Sequence, residues 1–344
     1  MSAVMRVMGP VLRVRRMVGE RPRRVEELER MLRGRVYPES AEVPRGLRQR
    51  CHVREETVGA YRVITLTPRE GASGVRVVHI PGGSYVHPLV VQHWWLLGAV
   101  MAASGATVTV PLYGLAPEFT VDDVLPFLDE VRRRVFAEAE GAPVFFSGDS
   151  AVGALALRQA VRARPRPGGG RAVEGRPDPG TPQAPGAQPA PGAQGVAGVV
   201  LVAPWLDAGL GDARVGELAR RDAMLDPARL RVCGRLWAGK RDVRDPEVSP
   251  LFAEPDEFTG LPPVRIVQGG RDVMLPDTQM LSRILRRAGV DVETRVYPDG
   301  FHNFPAVPVL PESRDAIAWI GDFLRRPVGS HETRGVAPSA PAKS

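Results

Sequence analysis

From about residue 50 onward, short apolar runs recur along the chain, most of them separated by segments with helical periodicity. The runs near 52–57, 61–67, 75–80, 107–111, 143–147, 197–203, 264–268 and 292–297 read as strands. With helices between most of them, they describe a mostly parallel sheet covered on both faces. The clearest helix follows Thr120. Thr120 caps it with Asp123 at the third position, and Val121, Val124, Leu125, Leu128, Val131 and Val135 make its buried stripe. Pro126 is expected to bend or weaken the second turn. Another helix has Pro276 near its start and Met280, Leu281, Ile284, Leu285 and Ala288 on one face, with Gly289 as the stop signal.

The alternation is framed and interrupted by other material. Residues 1–45 read as a separate helical segment in which Val25, Leu28, Met31 and Leu32 form a narrow apolar stripe. The core opens at 46–163. Residues 164–195, rich in Pro, Gly, Ala and Arg, bury too little apolar surface to offset their ordering entropy and read as a disordered insertion. A core strand returns at 196–204. Residues 205–250 hold Trp205, Leu206, Met224, Leu225, Leu230, Leu236 and Trp237, enough apolar material to fold as an insertion of their own. The core resumes at 251–326, and 327–344 reads as a disordered tail.

Composition narrows the class. A chain of 344 residues can bury a sizeable core. The net charge of +7 raises nucleic-acid binding, but the basic residues are scattered arginines, with only Lys240 and Lys343 as lysines. Arg132-Arg133-Arg134 falls on the outer face of a helix and reads as solvated surface, so no nucleic-acid partner is expected. Cys51 and Cys233 demand no disulfide framework, no histidine has the spacing of a zinc site, and no phosphate-binding glycine loop follows a strand. Neither a metal nor a cofactor is therefore expected. Gly9-Pro10 and several arginines break any signal-like core, and Ser104-Gly105 splits the apolar stretch 94–110, so no membrane span is expected and the cytoplasm is the default. Oligomeric state is left open.

Candidate chemistry sits at strand ends. Phe146-Ser147-Gly148-Asp149-Ser150-Ala151-Val152-Gly153 joins an apolar strand to a helix. A serine on such a turn has its hydroxyl pushed above the sheet, with free N–H groups of the helix start behind it, so Ser150 is the candidate nucleophile. A catalytic serine needs a base and an acid that orients the base. Asp272 and His302 each lie just past a strand, one helix apart, in the order Ser, Asp, His. Upstream, Pro81-Gly82-Gly83-Ser84-Tyr85 follows the 75–80 strand, where small residues let the backbone approach a substrate. The N–H groups of Gly83 and Ser84, with that of Ala151 after the nucleophile, are the expected oxyanion donors. His79 reads as a satisfied buried histidine. Tyr85 and His87, near His93, Trp94 and Trp95, are candidates to contact substrate.

These motifs resemble the hormone-sensitive-lipase-like branch of the α/β-hydrolases, its bacterial esterases in particular, over about residues 50–325. That branch carries His-Gly-Gly-Gly-aromatic, Gly-Asp-Ser-Ala-Gly-Gly and Asp-x-Leu-x-Asp. Here the first falls on Pro81, Gly82, Gly83 and Ser84, with proline in place of histidine. The second matches at Gly148, Asp149, Ser150, Ala151 and Gly153 and departs at Val152. The third falls on Asp272-Val273-Met274-Leu275-Pro276-Asp277, which gives the acid role to Asp272 and not Asp277; Asp277 is expected to serve the first turn of the next helix. Asp245 to Phe252 is similar to the branch's lead into its seventh strand. The resemblance implies an eight-stranded α/β-hydrolase fold with a helical lid built from 205–250 and the N-terminal helices. It also implies a cofactor-free serine hydrolase of short-chain carboxylic esters, working through an acyl-enzyme on a small-molecule ester. Cleavage of an amide or lactone, such as deacetylation of a small metabolite, uses the same machinery. A different class, a non-catalytic small-molecule binder, occurs on this fold where the triad is broken; here Ser150, Asp272 and His302 are all present.

Overall fold

The computed structural model describes residues 2, 5, 25–34, 39–164 and 195–326. The expected insertion between 165 and 194, the tail from 327 and much of the N-terminal segment lie outside the described residues.

Eight strands form one sheet: β1 (Cys51–Val58), β2 (Tyr61–Pro68), β3 (Arg76–Ile80), β4 (Thr107–Pro111), β5 (Val144–Asp149), β6 (Gly198–Val202), β7 (Val264–Gly269) and β8 (Val292–Tyr297). Their order is β1-β2-β4-β3-β5-β6-β7-β8, and β2 alone runs against its neighbours. Alternate residues of each central strand face opposite layers. Val78, Ile80, Phe146, Val199 and Leu201 join one hydrophobic cluster, whereas Val77, Phe145, Val200 and Val202 join the other. A strand buried on both faces reads as an unbroken apolar run, which is why these segments stand out in the sequence.

The helices are α1 (Val25–Arg33), α2 (Arg45–Arg50), α3 (Val91–Ser104), α4 (Val121–Ala139), α5 (Gly153–Arg162), α6 (Val215–Leu218), α7 (Pro227–Ala238), α8 (Leu275–Arg287) and α9 (Pro311–Arg325). Helices α3 and α9 cover one face through Trp94, Leu97, Met101, Ile317, Ile320 and Leu324. Helices α4, α5 and α8 cover the other through Val124, Leu128, Leu155, Leu281 and Leu285. None of the helices among the described residues is long and apolar enough to cross a membrane.

Three local expectations are corrected. Helix α4 runs unbroken through Pro126. Proline there costs only its own N–H to the Asp122 carbonyl, one turn in from the helix start, and Leu125, Phe127 and Leu128 beside it are buried. Thr120 accordingly begins the helix as expected, its N–H donating to Asp123 Oδ2 at 2.8 Å. Met280 is exposed, not part of the α8 stripe. Thr278 and Ser282 are buried instead and bind Gln268 of β7 and Thr294 of β8, both at 2.8 Å. Met31 is also exposed, while Leu28 and Leu32 of the same stripe pack into the cluster that holds α7. Helix α1 is thus not separate but lies against α7.

Strand order positions the site. The chain leaves β3 for β4 on one side and returns to β5 on the other, and ligands of open α/β sheets bind at the carboxyl ends of strands where the order switches. Ile80 and Gly148, paired at the ends of β3 and β5, deliver the glycine loop and Ser150 to that point. Strands β7 and β8 end in the same direction, just before Asp272 and His302.

Candidate active site

Every residue of β5 is buried, so the strand has no freedom to displace the turn that follows it. Ser150 takes φ +56°, a left-handed conformation that costs a non-glycine residue about 1–3 kcal/mol. Its carbonyl accepts the N–H of Trp205 at 2.8 Å and that of Gly153, which fixes the turn from both sides. The 3₁₀ turn Ser150–Val152 then opens into α5. Close backbone approach is met by Gly148 and Gly153. A Cβ on Gly148 would lie 2.5 Å from the Val152 carbonyl oxygen, and one on Gly153 would lie 2.6 Å from Pro204 Cβ. Val152 itself is fully buried in the apolar layer, so the departure from the glycine pattern fills core. Val152→Gly is expected to retain kcat/KM on a short ester within a few-fold. It should lose about 2–4 kcal/mol of stability through lost burial and backbone entropy. Melting curves measured alongside the kinetics check this; an inactive but folded glycine variant contradicts it.

The three chemistry-bearing side chains meet. His302 Nε2 lies 2.8 Å from Ser150 Oγ, and His302 Nδ1 lies 2.9 Å from Asp272 Oδ2. An ionised carboxylate only accepts, so Nδ1 carries the proton and Nε2 is free to accept from the serine hydroxyl. Asp272 is fully buried, and its other oxygen accepts the N–H of Met274 at 2.9 Å. The turn carrying Asp272 is laced to the loop carrying His302 by Gly270 N–H on Tyr297 O at 2.8 Å and Arg271 N–H on Gly300 O at 3.0 Å. Burial alone would push the His302 imidazole down. The Asp272 carboxylate and its hydrogen bond, helped by Asp222 and Asp149, outweigh burial and hold His302 above the usual histidine range.

Asp277 does different work from that expected of it. Its Oδ2 accepts the N–H groups of Leu206 and Asp207 at 2.8 and 2.9 Å, so it pins the loop leaving β6 and does not serve its own helix. Complete burial pushes its carboxyl up to about 8 against those two donors.

The glycine loop curls back on itself, with Val86 and His87 N–H groups on Gly83 O at 3.1 and 2.8 Å and positive φ at Ser84 and Tyr85. None of the N–H groups of Gly83, Ser84 and Ala151 takes part in a turn or cap hydrogen bond among the described residues. Tyr85 is sealed in. Its hydroxyl donates to Ala151 O at 2.6 Å and its ring stacks on Trp237 at 4.4 Å, so its surface is taken up by protein contacts that brace the elbow. His87 is half-buried and lies 3.3 Å from Arg229 of α7. Trp94 is buried with its indole N–H on Ala41 O, while Trp95 is exposed.

Asp149, part of the motif but unassigned by sequence, is the hub behind these loops. Its Oδ1 accepts Gly82 N–H at 2.9 Å and its Oδ2 accepts Asn303 Nδ2 at 2.5 Å, which joins the glycine loop to the residue after the base. His79 and His93 bring imidazole nitrogens to 3.3 and 3.5 Å of it. His79 is buried as expected, its Nδ1 lying 3.1 Å from Ser147 Oγ. Burial pushes the Asp149 carboxyl up, but His93 and His79 reverse this and hold it well below the usual range. A surface cleft of about 440 Å³ lined by Leu47, Cys51, Arg69 and Met101 contains none of these groups, so volume does not locate the chemistry. Among the described residues no group of histidine, cysteine and acidic side chains is arranged to hold a metal.

Residues 77–306 match the alpha/beta hydrolase fold family. The chain belongs to that family. Within it, the motifs at Gly82–Ser84, Gly148–Gly153 and Asp272–Asp277 place the α/β-hydrolase in the hormone-sensitive-lipase-like branch. It is 30% identical to an acetyl-hydrolase of Streptomyces hygroscopicus over 74% of this chain and 77% of that protein. It is 25% identical to an esterase of Acinetobacter venetianus over 72% and 73%. An esterase of the bacterial hormone-sensitive lipase family superposes with a TM-score of 0.72 at 23% identity, over 96% of this chain and 99% of the other.

Proposed function

We propose that this α/β-hydrolase is a serine carboxylic-ester hydrolase acting on short acyl esters, with Ser150 as nucleophile, His302 as base and Asp272 as acid. The observation that carries the reading is the hydrogen-bonded chain from Ser150 Oγ through His302 to Asp272, set on a strained strand-to-helix turn. In this mechanism His302 Nε2 takes the hydroxyl proton as Oγ attacks the ester carbonyl. Negative charge gathers on the carbonyl oxygen, and the N–H groups of Gly83, Ser84 and Ala151 receive it. His302 then protonates the leaving alcohol. Water, activated by the same imidazole, hydrolyses the acyl-enzyme and restores Ser150. Asp272 keeps the proton on Nδ1 throughout and stabilises the imidazolium.

The preference for short acyl groups rests on the resemblance to the bacterial esterases. Beside the elbow, Tyr85, Trp205 and Trp237 pack as buried rings, with Tyr85 5.5 Å from Trp205 and 4.4 Å from Trp237. The excursion between β6 and β7, with α7 against α1 and Arg229 beside His87, serves as the lid. Activity on p-nitrophenyl esters of graded length is expected to be highest at two to four carbons; a rate that climbs with chain length contradicts the reading. Deacetylation is the second reading, favoured by the likeness to the Streptomyces acetyl-hydrolase. Assays with acetyl amides and lactones beside the esters decide between them. Loss of proton from His302 is required for attack, and its acid form is stabilised, so kcat/KM should rise with pH through a limb above the ordinary histidine value of about 6.5. A limb at or below that value in a pH-rate profile contradicts the assignment.

Arg133 and Arg134 are exposed and paired with Glu130, which supports a solvated surface there and no nucleic-acid partner, whereas the Arg132 side chain is largely buried beside Asp129. Cys51 and Cys233 are buried thiols without a disulfide between them, which supports a cytoplasmic location.

A further inference from the structure

The turn that carries the acid is met by a second carboxylate. Asp222 belongs to the excursion between β6 and β7 and is only 1% exposed. Its Oδ1 accepts the N–H groups of Met224 and Leu225 at 2.7 and 2.8 Å, closing the turn ahead of α7. Its Oδ2 reaches across to the N–H of Val273, the residue directly after Asp272, at 3.0 Å. The tie is returned a few residues on, where Asp277 accepts the N–H groups of Leu206 and Asp207 of the same excursion. Excursion and acid turn therefore hold each other by carboxylate–amide bonds in both directions. A buried carboxylate is costly unless its oxygens are satisfied, and no part of the serine mechanism as derived above uses Asp222.

We propose that Asp222 is a positioning residue for the catalytic acid, fixing the 272–274 turn from which Asp272 meets His302 and coupling the excursion to the triad. This rests on the reading of Ser150, His302 and Asp272 given above. The bond to Val273 N–H and the bond from Met274 N–H to Asp272 Oδ1 lie on successive amides of one turn, so release of the first frees the second to shift. A carboxylate misplaced by about 1 Å can cost a hundredfold in rate. Asp222 also acts through its charge. The acidic groups facing His302 are Asp272, Asp222 and Asp149, and each favours the imidazolium. Around Asp222 itself, burial and the Asp272 carboxylate outweigh the amides of Leu225 and Met224 and the charge of His302, and hold its carboxyl above the usual carboxylate range.

Asp222→Asn is the test, since it keeps the volume but offers one acceptor oxygen where two are used. Rates on p-nitrophenyl acetate are normalised to the fraction of serine labelled by a fluorophosphonate, so that unfolded protein does not count. The expected result is a kcat about 10- to 100-fold lower, KM within about threefold, and an ascending pH limb moved to lower pH because a charge favouring His302⁺ is gone. Wild-type kcat and an unmoved limb overturn the proposal, whatever happens to the melting temperature. Should the variant fail to fold, amide exchange in the wild-type protein decides. Val273 N–H exchanging as slowly as the amides of β7 supports the tie, and exchange at the rate of an exposed loop overturns it. Ser150→Ala, assayed in parallel, separates the two levels. If it is inactive while Asp222→Asn is normal, only the positioning role falls; if it is active, the triad reading and this proposal fall together.

Discussion

Ser150→Ala is expected to abolish ester hydrolysis, lowering kcat by about 10⁴-fold or more, because members of a triad act as a unit and the residual rate reflects only binding and oxyanion stabilisation. The fold should survive. The substitution removes one hydroxyl at a buried position and with it the 2.8 Å bond to His302 Nε2, a net loss of about 1 kcal/mol. It leaves intact the Ser150 carbonyl bonds to Trp205 and Gly153 that define the turn. The backbone strain at φ +56° is the same for alanine as for serine, so it neither adds nor relieves stability. Turnover of p-nitrophenyl acetate near the wild-type rate by the purified variant would remove the central assignment, and with it any choice between ester and amide substrates.

The second large effect separates two aspartates that lie five positions apart in one motif. Asp272→Asn should lower kcat by about 10⁴-fold, since an amide in place of Oδ2 presents a donor to His302 Nδ1 or selects the wrong tautomer, and the imidazolium loses its counter-charge. Asp277→Asn should leave kcat within about tenfold. Burial pushes the Asp277 carboxyl up to about 8, and a carboxamide oxygen can still accept from Leu206 and Asp207. Both variants are compared at one pH near 7 with melting curves. Equal losses, or the larger loss at Asp277, would mean that the acid has been assigned to the wrong residue.

These two aspartates also show where reading a sequence stops. Asp272 is legible because it follows β7 directly, and a residue just past a parallel strand must lie at the sheet's carboxyl edge whatever else the chain does. The same holds for Ser150 after β5, His302 after β8, and Gly83 and Ser84 after β3. All eight strands fall within two residues of their expected limits; the central parallel ones, β3 and β5 to β7, stand out because they are buried on both faces and their apolar runs are interrupted only by turns. Local chemistry of this kind, strand ends and elbow glycines, is written in adjacent residues, and so the fold, the family and the three side chains that meet at the sheet's edge are legible in sequence.

What sequence could not supply are partners brought together across the chain. Asp277 looks like a first-turn helix acid, yet its carboxylate binds amides about 70 residues earlier. Pro126 looks like a break, but α4 continues through it among buried side chains. Tyr85 looks like a pocket residue until Trp237 and Ala151 are found against it. Met280 and Met31 match helical stripes by spacing and still face solvent, because the width of a buried stripe is set by the neighbour it meets. Asp149 sits in the elbow motif without a role that the motif spells out, and Asp222 carries no local signature beyond being acidic. Their roles arise only when β3, α3, the base loop and the excursion converge on them, since a buried charge takes its meaning from donors that folding, not sequence proximity, delivers.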